Sequence, residues 1–245
     1  MQDKRYHISS SNRTSSSASS TNFTIIPTNQ IEPLMKKLLV RRVTIPYTVY
    51  TINSNNNKLY WVDSDSSAKT STITSGNYDE NTLAAAIASQ MNIDKTSVDI
   101  YTCTVNSTTA KFTITNNTNN FQLTTTSTSS AIWKVLGYTT SSNKTGSTSY
   151  TGTNVYNLQP LMVIYICSNL ADGNNARVQA GDFPILCAIP ISANFGNIVT
   201  YINDFGDEIP LNNTKSMFTF QLYDDNLNLI DLNGQDWTIE FAVSY

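Results

Sequence analysis

The chain has 245 residues, enough for one large β domain or two small ones, and its 40% of hydrophobic residues excludes a disordered protein. Charged residues make up only 13% of the chain, while Ser, Thr and Asn are abundant, so the composition fits a rigid extracellular or assembly-forming module better than a typical cytosolic enzyme. The net charge of −3 is uneven, because residues 1–58 hold eight basic and two acidic residues. We therefore expect one end of the molecule to be basic.

The N-terminal stretch, residues 1–21, reads MQDKRYHISSSNRTSSSASST and is polar, basic and rich in Ser. Such a segment has too few apolar side chains to fold alone, so it is predicted to be a flexible basic arm. It lacks the apolar core of a secretion signal, and no apolar run in the chain approaches the roughly 18 residues of a membrane-spanning helix. We therefore expect no secretion signal and no membrane span.

The first long element is a basic segment, KKLLVRRVTI, at residues 36–45, which lies between Pro33 and Pro46. Its KK and RR pairs do not alternate with apolar residues as in a regular strand, so a helix is the competing interpretation. The β-branched continuation VTIPYTVYTI favours a strand. Two readings of the basic pairs remain open: a solvated strand edge protected against aggregation, or a surface that faces an acidic neighbour, either protein or nucleic acid.

The stretch SGNYDENTLAAAIASQMN is the clearest helix signal in the chain. Ser75 or Asn77 can cap it, and Leu83, Ile87 and Met91 recur at the spacing of one helix face. The alternating sequence VDIYTCTVNSTTAKFTITN that follows predicts a hairpin, and AIWKVLGY predicts a helical turn that ends at a glycine.

The C-terminal third consists of predicted strands. The runs LMVIYICSNL and PILCAIPI are almost continuously apolar, which is typical of strands that are covered on both faces. The segments NIVTYIND, SMFTFQLYDD and DWTIEFAVSY alternate apolar and polar residues, as half-buried strands do. Together with the earlier segments, they predict an all-β protein with a single helix.

Residues suited to catalysis are few. The only histidine, His7, lies in the predicted flexible arm, where it could not be held against a nucleophile. Acidic residues cluster at three places, and two carboxylates about 5–10 Å apart could cleave a glycosidic bond. Each cluster falls in a predicted turn, where acids ordinarily cap and solvate the backbone, so we expect no catalytic residues. The clusters are Asp63 with Asp65, Asp204 with Asp207 and Glu208, and Asp224 with Asp225.

Metal and cofactor sites are not expected either. Cys103, Cys167 and Cys187 form no pair with the spacing of a zinc site, and no phosphate-binding Gly-rich loop is present. Cys167 and Cys187 lie in apolar strands and are expected to be small buried residues, with a disulfide possible only if those strands are neighbours. The odd number of cysteines points to synthesis in a reducing compartment.

The order of the parts resembles the vertex (penton) capsid proteins of double-stranded-DNA viruses, in particular those of virophages, polinton-like viruses and relatives of giant viruses. The resemblance covers residues 15–245. It rests on SSSASSTNFTI, VRRVTIPYTVYTI, ITSGNYDENTLAAAIASQMN, YTCTVNSTTAKFTI and AIWKVLGY in this order, followed by PLMVIYICSNL and the C-terminal IPLNNTKSMFTFQLYDDNLNLIDLNGQDWTIEFAVSY.

The resemblance implies an all-β fold: a single jelly-roll β-sandwich, residues 22–65 and 153–245, with a small α+β insertion, residues 66–152, that holds the helix and the hairpin. It also implies a structural virion protein that is made in the host cytoplasm and closes the icosahedral vertices of the capsid as a homopentamer. The implied partners are the major capsid protein and other minor capsid proteins, packaged DNA through the basic arm, and a host receptor through the insertion.

The residues expected to make assembly contacts, or to face the inside of the particle, are all basic: Lys4, Arg5, Arg13, Lys36, Lys37, Arg41 and Arg42. Two other functions remain open at this point. One is a different virion component built from the same parts, such as another minor capsid protein, a fibre or a receptor-binding protein. The other is a carbohydrate-binding or glycan-hydrolysing β-sandwich that uses one of the acidic clusters.

Overall fold

The computed structural model describes residues 3–14, 19–26, 35–159, 161–171, 176–178, 181–213 and 215–245. The chain folds into two compact units. Residues 1–49 and 161–245 form the first, which we call the sandwich unit, and residues 50–160 form the second, which we call the inserted unit.

The sandwich unit is built from the two ends of the chain, and the inserted unit from its middle. The N-terminal end contributes β1 (Asp3–Ser9), β2 (Asn22–Ile25) and β3 (Met35–Pro46). The inserted unit contains β4 (Lys58–Val62), β5 (Ala68–Thr72), α1 (Glu80–Asp94), β6 (Tyr101–Asn106), β7 (Lys111–Asn116), β8 (Phe121–Leu123), β9 (Lys144–Ser147) and β10 (Ser149–Thr151). The C-terminal end contributes β11 (Val163–Ser168), β12 (Ala176–Val178), β13 (Gly181–Phe183), β14 (Ile185–Pro190), β15 (Ile198–Ile202), β16 (Ile209–Asn213), β17 (Phe218–Tyr223) and β18 (Thr238–Ser244).

The sandwich unit consists of two large antiparallel sheets and a two-stranded ribbon of β12 and β13. One has the order β1-β18-β3-β15, with β16 also paired with β3, and the other has the order β14-β11-β17-β2. β15 pairs with the C-terminal half of β3 and β16 with its N-terminal half, so these two strands together occupy one position in the sheet. Eight strand positions in two sheets, with this exchange of successive strands between them, are the jelly-roll arrangement. The inserted unit leaves the sandwich between β3 and β11.

The two sheets share one hydrophobic core, which makes them a sandwich. Phe218 and Phe220 of β17 lie with their ring centroids 6.0 and 6.2 Å from that of Phe241 on β18, in the facing sheet. Trp237, just before β18, is buried against Phe23 and Phe220, and its indole N–H donates to a backbone carbonyl at 2.8 Å. The prediction of an all-β sandwich is therefore confirmed.

The basic pairs of β3 interrupt the alternation of the strand. The buried residues are 35, 38, 40, 43 and 45, so both members of each basic pair face solvent. At the second pair the cause is a β-bulge, because Glu240 of β18 lies opposite Arg42 and Phe241 lies opposite Val40, which leaves Arg41 as an extra residue. The strand interpretation is thus confirmed, and the bulge explains why the alternation breaks at the second basic pair.

The inserted unit has a three-stranded sheet of β10, β7 and β6, a four-stranded sheet of β5, β4, β8 and β9, and the helix α1. Leu83, Ile87 and Met91 of α1 are fully buried in its core, as their spacing predicted. The cap residue differs from the prediction. The helix is capped by Asp79, whose carboxylate accepts from the backbone N–H of Thr82 at 2.8 Å. The Thr82 hydroxyl in turn accepts from the backbone N–H of Asp79, which completes a capping box.

Two of the predicted parts of the chain, the flexible arm and the insertion, differ in the structure. Residues 1–21 are not a free arm over the part the structure describes, because β1 pairs with β18 through all seven of its residues. Tyr6 packs on Phe241 and Ile8 is buried, and two inward side chains are enough for a short strand in a sheet. Residues 15–18 of the predicted arm lie outside the described residues.

The predicted insertion, residues 66–152, is too short. The structural boundary lies at residues 50 and 160, so β4 belongs to the inserted unit and not to the jelly roll. Its Leu59 and Trp61 are buried in the core of the inserted unit, and β4 pairs with β5 and β8. An alternating strand looks the same whichever sheet it joins, so its sequence could not assign it.

Candidate assembly surfaces

Six of the seven basic residues predicted to make assembly contacts lie on two strands of the five-stranded sheet. Lys4 and Arg5 are on β1, whereas both basic pairs are on β3, with β18 between the two strands. The outward members form what we call the basic face: Arg5, Lys36, Lys37, Arg41 and Arg42, all of which are exposed. Residues separated by more than thirty positions in the sequence are therefore brought onto one side of one sheet.

Lys4 is not part of the basic face. It follows the inward parity of Tyr6 and Ile8, it is half-buried, and its ammonium lies 5.2 Å from the centroid of the Tyr6 ring. A cation over an aromatic face is attracted to the ring electrons. The role of Lys4 is therefore local to β1.

Arg13 is also occupied locally. Its guanidinium lies 2.8 Å from Asp236 Oδ1 and donates to the carbonyl of Ser10 at the same distance. The Ser10 hydroxyl donates to the same carboxylate at 2.6 Å, and the backbone N–H of Trp237 donates to that hydroxyl. These contacts fix the turn after β1 against the start of β18, so Arg13 stabilises the sandwich and does not lie on the basic face.

Two acidic residues neutralise part of the basic face. Lys37 Nζ lies 2.6 Å from Glu208 Oε2, and the hydrogen bond and charge of Glu208 raise the pKa of the Lys37 ammonium. Glu240 lies 3.8 Å from Arg41 Nε and 3.8 Å from His7 Nε2. Among the described residues, Arg5, Lys36 and Arg42 have no acidic partner, and the face keeps an excess of positive charge.

The acidic cluster at Asp63 is a structural network. The carboxylate of Asp63 is 2% exposed and accepts from the backbone N–H groups of Thr96 and Ser97, the Ser97 hydroxyl and the Tyr101 hydroxyl, at 2.7 to 2.9 Å. Burial alone would raise the pKa of Asp63, but the hydrogen bonds outweigh it and hold the pKa well below its usual range. The cluster therefore fixes the loop between α1 and β6.

The other two acidic clusters lie in turns, as predicted. Asp224 accepts from the backbone N–H groups of Asn226 and Asn228. Asp225 accepts from the N–H groups of Met162 and Val163, which holds the start of β11. Asp204 and Asp207 lie in the connection between β15 and β16, which we call the acidic turn (residues 203–208), and Glu208 at its end pairs with Lys37.

Apolar side chains are exposed beside the acidic turn. Phe205 at its tip is 93% exposed, and Ile198 and Ile202 on the outer side of β15 are 61% and 56% exposed. The sequence analysis missed them, because NIVTYIND was interpreted as a half-buried strand with an apolar inner side. Its inner residues are Val199 and Tyr201, and the two isoleucines alternate to the outer side. Apolar residues on both parities of a strand were the available signal.

The three cysteine thiols are free. Cys167 and Cys187 lie on the neighbouring strands β11 and β14, so the strands are adjacent, but no disulfide joins them. Burial raises the pKa of Cys167 to about 11 and of Cys187 to about 12, so both are protonated at neutral pH.

Two further features concern metals and membranes. In the part of the chain that the structure describes, no group of three or more His, Cys, Asp or Glu side chains is placed to hold a metal ion. No helix within the same residues is long and apolar enough to cross a membrane.

Comparison with known proteins gives a likeness of fold. No protein-family model matches the sequence, and no curated protein matches it. The crystal structure of the mavirus penton protein is similar, with a TM-score of 0.51 and 11% sequence identity, over 100% of this chain and 99% of that one. The cryo-EM structure of the Sputnik virophage contains a chain with a TM-score of 0.44 and 14% identity, over 98% of this chain and 97% of that one. The resemblance to virophage penton proteins is thus confirmed at the level of fold.

Proposed function

We propose that the chain is a structural protein of a virion, and that it forms the capsid vertex as a homopentamer. One observation carries the proposal. The fold matches a penton protein over the whole length of both chains, so the jelly roll and the insertion correspond together and not only the common sandwich. Many unrelated proteins contain a jelly roll, so a jelly roll alone says little about function. A jelly roll together with this insertion is a more specific criterion for a shared role.

The chemistry of the polar residues supports a structural role. Two of the three acidic clusters that could have served glycan cleavage hold a turn or loop in place: Asp63 binds the loop after α1, Asp224 binds its own turn, and Asp225 binds the start of β11. The hydrogen bonds that Asp63 accepts stabilise its anion and lower its pKa, which makes it a poor general acid. These contacts favour a scaffold over a glycosidase.

The basic face is proposed as a contact with an anionic neighbour in the particle. Arg5, Lys36 and Arg42 are exposed and have no acidic partner among the described residues, so an external carboxylate or phosphate would relieve their mutual repulsion. The major capsid protein, another minor capsid protein and packaged DNA are the candidate neighbours. A phosphate partner would make the contact strongly dependent on salt, because bound counterions are released.

A receptor-binding virion protein is the second candidate function, and the inserted unit favours it. Val98 is 95% exposed in the loop between α1 and β6, and Ile93 and Ile100 on either side are exposed too. The Asp63 network fixes this loop, so its apolar tip is held ready for a contact. A rigid apolar tip loses little conformational entropy on binding.

The experiment is a measurement of the mass of the purified full chain in solution by sedimentation velocity, over a wide range of protein concentration. The penton proposal predicts a species with five times the 27.1 kDa mass of one chain. A trimer would favour a fibre or receptor-binding protein instead. A chain that stays monomeric at every concentration would contradict the proposal.

A further inference from the structure

The five-stranded sheet has two open edges. β1 pairs only with β18, and β15 and β16 pair only with β3, within the residues that the structure describes. An open strand edge presents unpaired backbone N–H and C=O groups, which proteins cover or make polar. The two edges lie at opposite sides of the same sheet and carry different chemistry.

The β1 edge is basic. Arg5 faces outward and is exposed without an acidic partner among the described residues, and His7 lies two positions along the same side. Apolar residues adjoin this edge. Ile26 and Met217 are both exposed, and they flank the paired residues Ile25 and Phe218 in the other sheet. The Phe218 ring contacts Tyr6 of β1, so the strand ends that carry Ile26 and Met217 lie near this edge.

The opposite edge is acidic with an apolar tip. Asp204 and Asp207 of the acidic turn have no cation within ion-pair distance among the described residues, and Phe205 projects between them. Ile202 continues the apolar surface onto β15. This edge therefore offers carboxylates that can pair with Arg5 and an exposed aromatic side chain that can pack on the apolar pair.

The acidic turn is held in its shape before any contact forms. The Asn203 side chain accepts from the backbone N–H groups of Gly206 and Asp207 at 3.0 and 3.2 Å and donates to the Asp207 carbonyl at 3.1 Å. Gly206 has a φ of 69°, a conformation that glycine adopts without strain. At the end of the turn, Glu208 is tied to Lys37 on β3. A preorganised turn loses little entropy on docking.

We propose that the acidic turn of one copy of this chain docks on the β1 edge of the next copy. Asp204 and Asp207 pair with Arg5 of the neighbour, and Phe205 packs against Ile26 and Met217. Because the two surfaces differ, the contact is head-to-tail, and successive contacts close a ring when the rotation between copies allows it. The number of copies in that ring rests on the proposed function; the pairing of the two edges does not.

Charge reversal tests the pairing. Arg5→Glu, and the double substitution Asp204→Lys with Asp207→Lys, each place like charges across the contact and are expected to weaken self-association roughly tenfold or more. Combining the three substitutions restores opposite charges and should recover most of the association. Phe205→Ser should also weaken self-association, and the size of this loss should not depend on the salt concentration. Lys134→Glu lies at an exposed position of the inserted unit and changes the charge as much as Arg5→Glu does. It is the matched control for that variant and should have no effect on self-association.

Association is read by sedimentation velocity, and circular dichroism checks that each variant is folded. A second measurement does not depend on affinity: an Arg5→Cys, Asp207→Cys variant should form covalent oligomers on mild oxidation, whereas either single variant should form none beyond a dimer. Weakening by each reversal and recovery on combination support the pairing. If the wild type forms oligomers that no reversal changes and the double cysteine variant stays uncrosslinked, the pairing is wrong although the proposed function stands. A wild type that never associates overturns both.

Discussion

The two units of the molecule handle polar groups in opposite ways. The sandwich unit holds nine basic and twelve acidic residues on different elements: most basic ones lie on β1 and β3, and most acidic ones in the connections between later strands. A few ion pairs, such as Lys37 with Glu208, join the two groups, and the remaining charges are separated. The inserted unit holds six of each and buries two acids, Asp63 and Asp99, which accept hydrogen bonds from other residues of the same unit. Separated charge is suited to contacts with other molecules, whereas internally satisfied charge stabilises a fold.

The units also differ in how their chain segments meet. The sandwich joins residues 1–49 with residues 161–245, while the inserted unit is one continuous segment with its own core of helix and two sheets. Among the described residues, each buried apolar cluster draws its members from one unit only. We therefore expect each unit to fold around its own core.

Removing the inserted unit is the strongest test of this difference. A variant in which residues 50–160 are replaced by a short Gly-Ser linker should keep the β-rich circular dichroism of the sandwich and lose the unfolding transition of the inserted unit. The measurement is calorimetry of the variant beside the full chain. Complete loss of cooperative unfolding would show that the sandwich depends on the insertion.

Gly137 tests the packing within the inserted unit. It has a φ of 77°, and a Cβ added there would lie 2.3 Å from the carbonyl oxygen of Asn154. Gly137→Ala should therefore destabilise the inserted unit by about 3 kcal/mol, from left-handed strain together with the clash. Gly146 has a φ of 78° with nothing within 4 Å, so Gly146→Ala should show the strain alone, about 1 kcal/mol. Equal losses in denaturant unfolding would contradict the close approach.

Asp63 should make the stability of the inserted unit depend on pH. Its pKa is lower in the folded chain than the ordinary value of about 3.9, so its contribution is present above that pH and is lost as the pH falls below it. Asp63→Asn should cost about 3 kcal/mol at neutral pH, because it removes the charge that three groups of the α1–β6 loop and the Tyr101 hydroxyl stabilise.

The pH dependence of the Asp63→Asn variant should also become shallower than that of the wild type between about pH 5 and pH 2. Asp65, Asp79 and Asp99, whose pKa values are lowered by hydrogen bonds, should provide the remaining slope. Thermal unfolding of both proteins across this range is the measurement. Parallel pH curves would mean that Asp63 does not carry the effect.

The smallest expected effect is at the start of α1. Asp79→Ala removes the side-chain acceptor for the Thr82 N–H and should destabilise the inserted unit by about 1 kcal/mol. Glu80→Ala, one position along and without a capping bond in the structure, is the control and should cost less. A cost at Glu80 as large as that at Asp79 would point to the charge near the helix N-terminus and not to the cap.

The sequence predicted the elements whose signal is periodic. The buried face of α1 followed from the spacing of Leu83, Ile87 and Met91, and most strands followed from alternation. It failed where neighbours decide. β1 was predicted to be disordered, because its inward apolar residues, Tyr6 and Ile8, become covered only when β1 pairs with β18. β4 could not be assigned to a unit, because its sequence does not show which strands it pairs with.

The candidate surfaces were predicted in part. The basic residues of β3 were identified, but their shared outward direction depends on a bulge set by the pairing with β18, which no local pattern encodes. The sequence did not distinguish Lys4 and Arg13 from Arg5, yet Lys4 lies over the ring of Tyr6 and Arg13 pairs with the distant carboxylate of Asp236. The exposed Phe205 lay in a turn that the sequence marked only by its acids.

The most direct test of the central claim, that this sandwich assembles edge to edge into a vertex ring, is cryo-EM of the purified full chain with class averages computed without imposed symmetry. The expected result is five-fold rings in which the acidic turn of each copy lies against β1 of the next. Averages with another symmetry, rings joined through a different surface, or single copies alone at every concentration would contradict it.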